Sequence, residues 1–150
     1  MLVREAILAY AHFISIFALA SVIAAEVILF RQVMAREIFR RLRTIDNWYG
    51  ILAGVVVITG LCRLWFGIKG PEYYLSNPIF WTKMALFVAV ALISIAPTVA
   101  YIRWGRALAG DGPLELSVPE FGRIRGLLWL EVGLFVFIPL CATFMARGFH

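Results

Sequence analysis

The sequence predicts an all-α integral membrane four-helix bundle, and three observations carry that prediction. Hydrophobic residues make up 63% of the 150 residues and charged ones only 15%, with a mean hydropathy of +0.90, far from soluble-domain averages. Four apolar segments are each long enough to cross about 30 Å of hydrocarbon, which takes about 20 helical residues. Lys and Arg also collect in alternate connections, as they do in multi-pass proteins.

A chain of this length holds one domain, expected over 1–150, with most of its surface against lipid or sibling helices. The net charge of +5 then reads as topology and not as a nucleic-acid surface. Cys62 and Cys141 lie in apolar runs without CxxC spacing, so they read as small apolar filler and not as a redox or metal motif. No nucleophilic triad, phosphate-binding glycine loop or metalloprotease helix is present.

The first span is expected near 7–30. The opening "MLVREAIL" runs straight into a full-length apolar segment without a small-residue cleavage site, so this span is expected to be retained and not removed as a signal peptide. The first connection carries Arg31, Arg36, Arg40, Arg41 and Arg43. Within it "AREIFRRLR" is expected to form a short interfacial helix, with Ile38, Phe39 and Leu42 toward lipid. The second span follows near 48–66, where Gly50 and Gly54 give a GxxxG-like spacing suited to close helix approach.

The third span is expected near 79–101 and the fourth near 127–145. Pro97 and Pro139 fall inside them, freeing backbone carbonyls and bending the helices. The intervening connection carries Arg103, Arg106, Arg123 and Arg125, with turn signals at "GDGP" and "SVPE", the latter a helix start. The Arg-rich first and third connections are expected in the cytoplasm and both termini outside. Trp48, Tyr49, Trp65, Tyr73, Tyr74, Trp81, Tyr101, Trp104 and Trp129 near span ends read as interfacial anchors. No internal repeat is evident.

Ionisable residues inside a span are costly and mark function or inward pairing. His12 lies about 8 Å below the outer face at 1.5 Å per residue, Arg63 about 5 Å and Lys83 about 6 Å, so the three form one outer layer. Cys141, Ala142 and Met145 are their expected neighbours on the fourth span. Glu26, Asp46 and Glu131 form a second layer on the cytoplasmic side, where pairing with Arg31, Arg43 or Arg125 is the plain reading. Residues fourteen apart return to nearly the same helix face, about 40° off. His12 with Glu26, Tyr49 with Arg63, Lys83 with Pro97 and Glu131 with Met145 can therefore share one interior.

In the outer layer no acid is expected within reach, since Glu5 and Glu72 lie outside it. Two cations and an imidazole make an anion-accepting pocket, with snorkelling cations and a hydrogen-bonded core histidine as the alternative. A b-type haem fits that chemistry: His12 as axial metal ligand, aromatic walls from Phe13, Phe17, Phe66, Phe80 and Phe87, and cations for the propionates. The second axial ligand is open between Lys83, Met145, His150 and a group from a second protomer. A quinone, with His12 bonded to a carbonyl, and an anionic small molecule fit as well.

The runs "AYAHFISIFALASVIAAEVILFR", "ITGLCRLWFGIKG" and "NPIFWTK" resemble a family of small bacterial four-span membrane proteins of unknown function. More distantly, "YAHF" in the first span, "TG" in the second and "WTK" opening the third resemble the HemJ-type protoporphyrinogen oxidases. That resemblance implies haem binding at the matching His12 and Lys83, and electron transfer to a quinone. The Trp-Phe-Ala-Gly and Pro-Arg-Leu run of that family is missing after the histidine.

The expected protein is therefore a bacterial inner-membrane bundle whose His12, Arg63, Lys83 and Met145 layer binds a porphyrin-like or quinone-like ligand, with a redox role. Rival readings are an accessory subunit of a larger membrane complex, a homo-oligomer among them, and a small anion carrier.

Overall fold

The computed structural model describes residues 2–108 and 112–149, so His150 and part of the "GDGP" turn lie outside the described residues. Four long helices dominate: α1 (Leu2–Leu29), α2 (Arg36–Phe66), α4 (Pro78–Ala107) and α5 (Val118–Ala146), with a short α3 (Gly70–Leu75) between α2 and α4. All four are long and apolar enough to cross a membrane. At 28 to 31 residues each is about 42–46 Å long, so each overruns the hydrocarbon at its ends. The helices exceed the spans read from composition because intrahelical hydrogen bonds continue through charged turns once water can reach the side chains.

Two hairpins make up the bundle. Helix α1 packs chiefly on α2 and α4 on α5, while the hairpins meet along the narrower α1–α5 and α2–α4 seams. Each hairpin is interrupted at its bend by a two-residue strand, β1 (Val33–Met34) and β2 (Leu114–Glu115), and the two strands pair antiparallel, Val33 opposite Glu115 and Met34 opposite Leu114. Leu116 N–H extends the pairing to the Gln32 carbonyl at 3.0 Å. The order helix–strand–helix thus occurs twice, a topological repeat with no counterpart in residue identities.

Helix ends follow local chemistry. Ser117 caps α5, accepting from Glu120 N–H and donating to Glu120 Oε2, with Pro119 in the first turn, so "SVPE" starts a helix as expected. Asn77 precedes Pro78; its Oδ1 accepts from Ile79 N–H at 2.8 Å, and its Nδ2 donates to the Phe149 carbonyl at 2.9 Å. The Tyr73 hydroxyl donates to the Met145 carbonyl, so the chain end is tied to the α2–α4 connection.

The ribbon end of the bundle is closed by Phe30, Met34, Phe39, Leu42, Tyr101, Trp104 and their buried neighbours. Phe30 lies near-parallel to Phe121 at 5.4 Å and to Trp104 at 6.3 Å between centroids. Several expectations change here. "AREIFRRLR" is no separate interfacial helix but the first turns of α2, and Phe39 and Leu42 are buried in this core. Tyr49, Tyr101 and Trp104 are core residues as well, whereas Trp48, Trp65, Trp81 and Trp129 are exposed. Gly50 and Gly54 meet nothing within 4 Å of where a Cβ would stand, so they mark no close helix approach. Exposed Ile14, Phe17, Ile58, Leu92 and Val136 form the apolar exterior that a bilayer covers.

Candidate functional site

His12, Arg63 and Lys83 line one cavity of about 150 Å³ at the terminal end of the bundle, between the two hairpins. Its walls are apolar: Phe13 and Ile16 from α1, Phe80, Met84 and Phe87 from α4, and Phe135, Ile138 and Pro139 from α5. The layer inferred from helical rise is therefore real in space. Ala142 joins it, but Met145 does not; it is buried behind the wall, packed with the lining residues Leu64 and Phe80. Phe17 and Phe66 are exposed and contribute no wall, while Phe135 does.

The orientation of His12 follows from counting protons. His12 Nδ1 and Thr59 Oγ1 are 3.0 Å apart, and the Val55 and Val56 carbonyls, 2.8 and 3.1 Å from the Thr59 hydroxyl, take its single proton. Ser15 likewise spends its proton on the His12 carbonyl at 2.7 Å. Neither hydroxyl has a proton left for the ring, so His12 Nδ1–H donates to Thr59. In the neutral ring Nε2 then carries the lone pair and is the nitrogen open to a ligand. Gly60 makes room for the ring: a Cβ there would stand 3.2 Å from His12 Cε1.

An acid does reach the outer layer, contrary to expectation. Glu5, on the first turns of α1, lies 3.6 Å from Arg63 Nη2, and its Oε2 accepts from Ile68 N–H at 3.1 Å. The overrun of α1 beyond the hydrocarbon brings Glu5 level with the end of α2. The Arg63 guanidinium also lies 5.5 Å from the Phe13 ring and the Lys83 ammonium 5.3 Å from the Phe80 ring, contacts that hold both cations by π attraction. Arg63 Nε–H, in contrast, is buried and meets no acceptor among the described residues.

The second layer is also assembled. Glu26, Asp46 and Glu131 are buried on α1, α2 and α5. Among the described residues none of them closes an ion pair; Arg43 faces Asp46 from a distance, and the closer neighbours are hydroxyls. Thr98 Oγ1 lies 2.6 Å from Asp46 Oδ1, Tyr49 stands beside Glu131 and Tyr101 beside Glu26. Sequence reasoning missed these partners, along with Ser15, Thr59 and Asn77. A short hydroxyl inside an apolar run, or an Asn before Pro, is the only signal that points to them.

Haem b was one expected occupant, beside a quinone and an anionic small molecule, and the cavity at His12 is too small for it. A cavity of about 150 Å³ lined by Leu, Ile and Phe admits a benzene ring, whereas a porphyrin joins four pyrroles. Of the second axial ligands considered, Met145 lies outside the cavity and His150 outside the described residues, while Lys83 lines the cavity with its ammonium 5.3 Å from the Phe80 ring. Among the described residues no group of three or more His, Cys, Asp or Glu side chains is placed to hold a metal ion.

A family described as predicted membrane protein, DUF2214, matches residues 4–150. The chain belongs to the DUF2214 family. The match spans all four membrane helices, in agreement with the resemblance to small four-span proteins. No curated protein and no solved structure matches the chain. Nothing in these comparisons carries the likeness to protoporphyrinogen oxidases. In this DUF2214 protein the residues must therefore speak for the ligand by their own chemistry.

Proposed function

We propose that this protein binds a single-ring, quinone-like lipophilic molecule in the cavity at His12, Arg63 and Lys83. The observation that carries the proposal is the buried Arg63 Nε–H without an acceptor among the described residues, at the wall of an apolar cavity sized for one ring. A quinone carbonyl supplies that acceptor. In the reduced form, the same oxygen becomes a hydroxyl that donates to His12 Nε2. Lys83 offers a further donor to either state. One set of three side chains thus meets both members of a quinone–quinol pair, which supports a redox role.

The bilayer is expected to be a bacterial inner membrane with both termini outside. The ribbon end holds Arg31, Arg36, Arg40, Arg41, Arg43, Arg103, Arg106, Arg123 and Arg125, nine of the 14 Lys and Arg residues, and the richer side faces the cytoplasm. Cysteines placed at Val33 and Phe149, both exposed, in a background with Cys62 and Cys141 replaced by Ala, test this. An impermeant maleimide added to intact cells labels position 149 and spares position 33; the reverse pattern overturns the orientation.

The ligand is tested with a short-chain benzoquinone and its quinol, followed by quenching of tryptophan fluorescence in protein reconstituted in nanodiscs. Saturable binding that weakens about tenfold, or about 1.4 kcal/mol, in His12→Ala for the quinol and in Arg63→Lys for the quinone supports the reading. Absence of saturable binding, or a b-type Soret band on adding hemin that His12→Ala abolishes, overturns it. Anion binding without quinone binding would favour the carrier. Isolation with stoichiometric partners and no ligand would favour the accessory subunit.

A further inference from the structure

The layer of Glu26, Asp46 and Glu131 is not part of the His12 cavity. Along α1 it lies fourteen residues, or about 21 Å, from His12. Between the two stands an apolar layer built on Leu19, Ile23, Tyr49 and Val56, and beyond it the aromatic closure of the ribbon end. The three carboxyls are 3%, 7% and 1% exposed. Three carboxylate charges in such surroundings require compensation.

Compensation by side chains is insufficient. Among the described residues none of the three acids forms an ion pair, and the cation that faces the layer is Arg43, on the Asp46 side, with its guanidinium laid against Gly105. The other groups facing the acids are Tyr49 on α2, Tyr101, Ser94 and Thr98 on α4. All of these are neutral hydroxyls. Two polar atoms in the layer lack a partner in hydrogen-bond geometry among the described residues: Tyr101 Oη, in a residue with 0% exposure that faces Glu26, and Glu131 Oε1. Buried polar groups are rarely left so, and these belong to the side chains that flank the carboxyls. The carboxyls are not grouped to hold a metal ion.

We propose that Glu26, Asp46, Glu131 and the Tyr101 hydroxyl form an intramembrane proton-binding site. Each proton taken up converts one carboxylate to a carboxylic acid and removes one negative charge. The acid O–H of Glu26 then donates to Tyr101 Oη, and that of Glu131 to Tyr49 Oη. Arg43 offsets at most one charge, so the remaining charge of the layer is removed by bound protons. The proposal is independent of the quinone reading.

The test is infrared spectroscopy of the full chain in nanodiscs, comparing neutral with alkaline pH and light with heavy water. Wild type is expected to show a protonated-carboxyl C=O band at neutral pH that shifts in heavy water and is lost on alkalinisation. Isotope-labelled glutamate moves most of the band without any substitution, and Glu26→Gln and Glu131→Gln each remove a share of it. Absence of the band at neutral pH, or its persistence at full intensity in both variants, overturns the proposal. Thermal unfolding in sodium, potassium, calcium or choline chloride decides between proton and metal ion. Equal midpoints support the proton, and a rise with one metal ion that Glu131→Gln abolishes overturns it.

Discussion

His12 shows how much a buried histidine depends on its acceptor. Its Nδ1–H is fixed by Thr59, whose own proton is committed to the helix backbone. Thr59→Val keeps the shape and removes the acceptor, leaving a polar N–H unpaired; a loss of about 1–3 kcal/mol is expected in a denaturant-unfolding measurement in detergent. Gly60→Ala acts through space. Its Cβ meets the ring at 3.2 Å, so His12 must shift by a few tenths of an ångström, and quinol affinity is expected to fall about tenfold, or about 1.4 kcal/mol, with little change in the unfolding midpoint. Glu5→Gln is the contrasting case. The ion pair it breaks is 3.6 Å long and about a quarter exposed, so titration with denaturant should register less than about 1 kcal/mol.

Elements were legible where one property decided them. Apolar length and alternating arginines marked four helices, and Ser117 before Pro119 and Glu120 marked the start of α5. Ser117→Ala should cost about 1 kcal/mol, read as an earlier loss of helical circular dichroism on denaturation. The common height of His12, Arg63 and Lys83 along the bundle was legible too, because helical rise converts residue number to height without knowledge of partners. Rotation and reach were harder to read. Phe39 and Leu42 look like the lipid face of a surface helix until α4 and β2 cover them. Glu5 seemed remote only because α1 was taken to begin at 7. Tyr101 and Trp104 carry the same composition signal as true interfacial aromatics, and only the packing of the second hairpin separates them.

At the scale of the whole molecule, stability is unevenly placed. The core that joins the hairpins lies at the ribbon end, with Met34 buried from the first hairpin and Trp104, Leu116 and Ile124 from the second. Met34→Ala should therefore cost about 2–5 kcal/mol and lower the midpoint of a thermal scan while leaving helical content unchanged at low temperature. Phe30→Ala, which removes the ring stacked between Phe121 and Trp104, should cost about 3–5 kcal/mol in the same scan.

The two-strand pairing at Val33 and Glu115 has a mechanical consequence. It latches the two hairpins at one end, while the α3 connection, tied by Tyr73 to the Met145 carbonyl and by Asn77 to the Phe149 carbonyl, latches them at the other. Rods fastened about 40 Å apart bow in the middle before they splay at a tip, so the pair yields first along the seams that neither latch crosses.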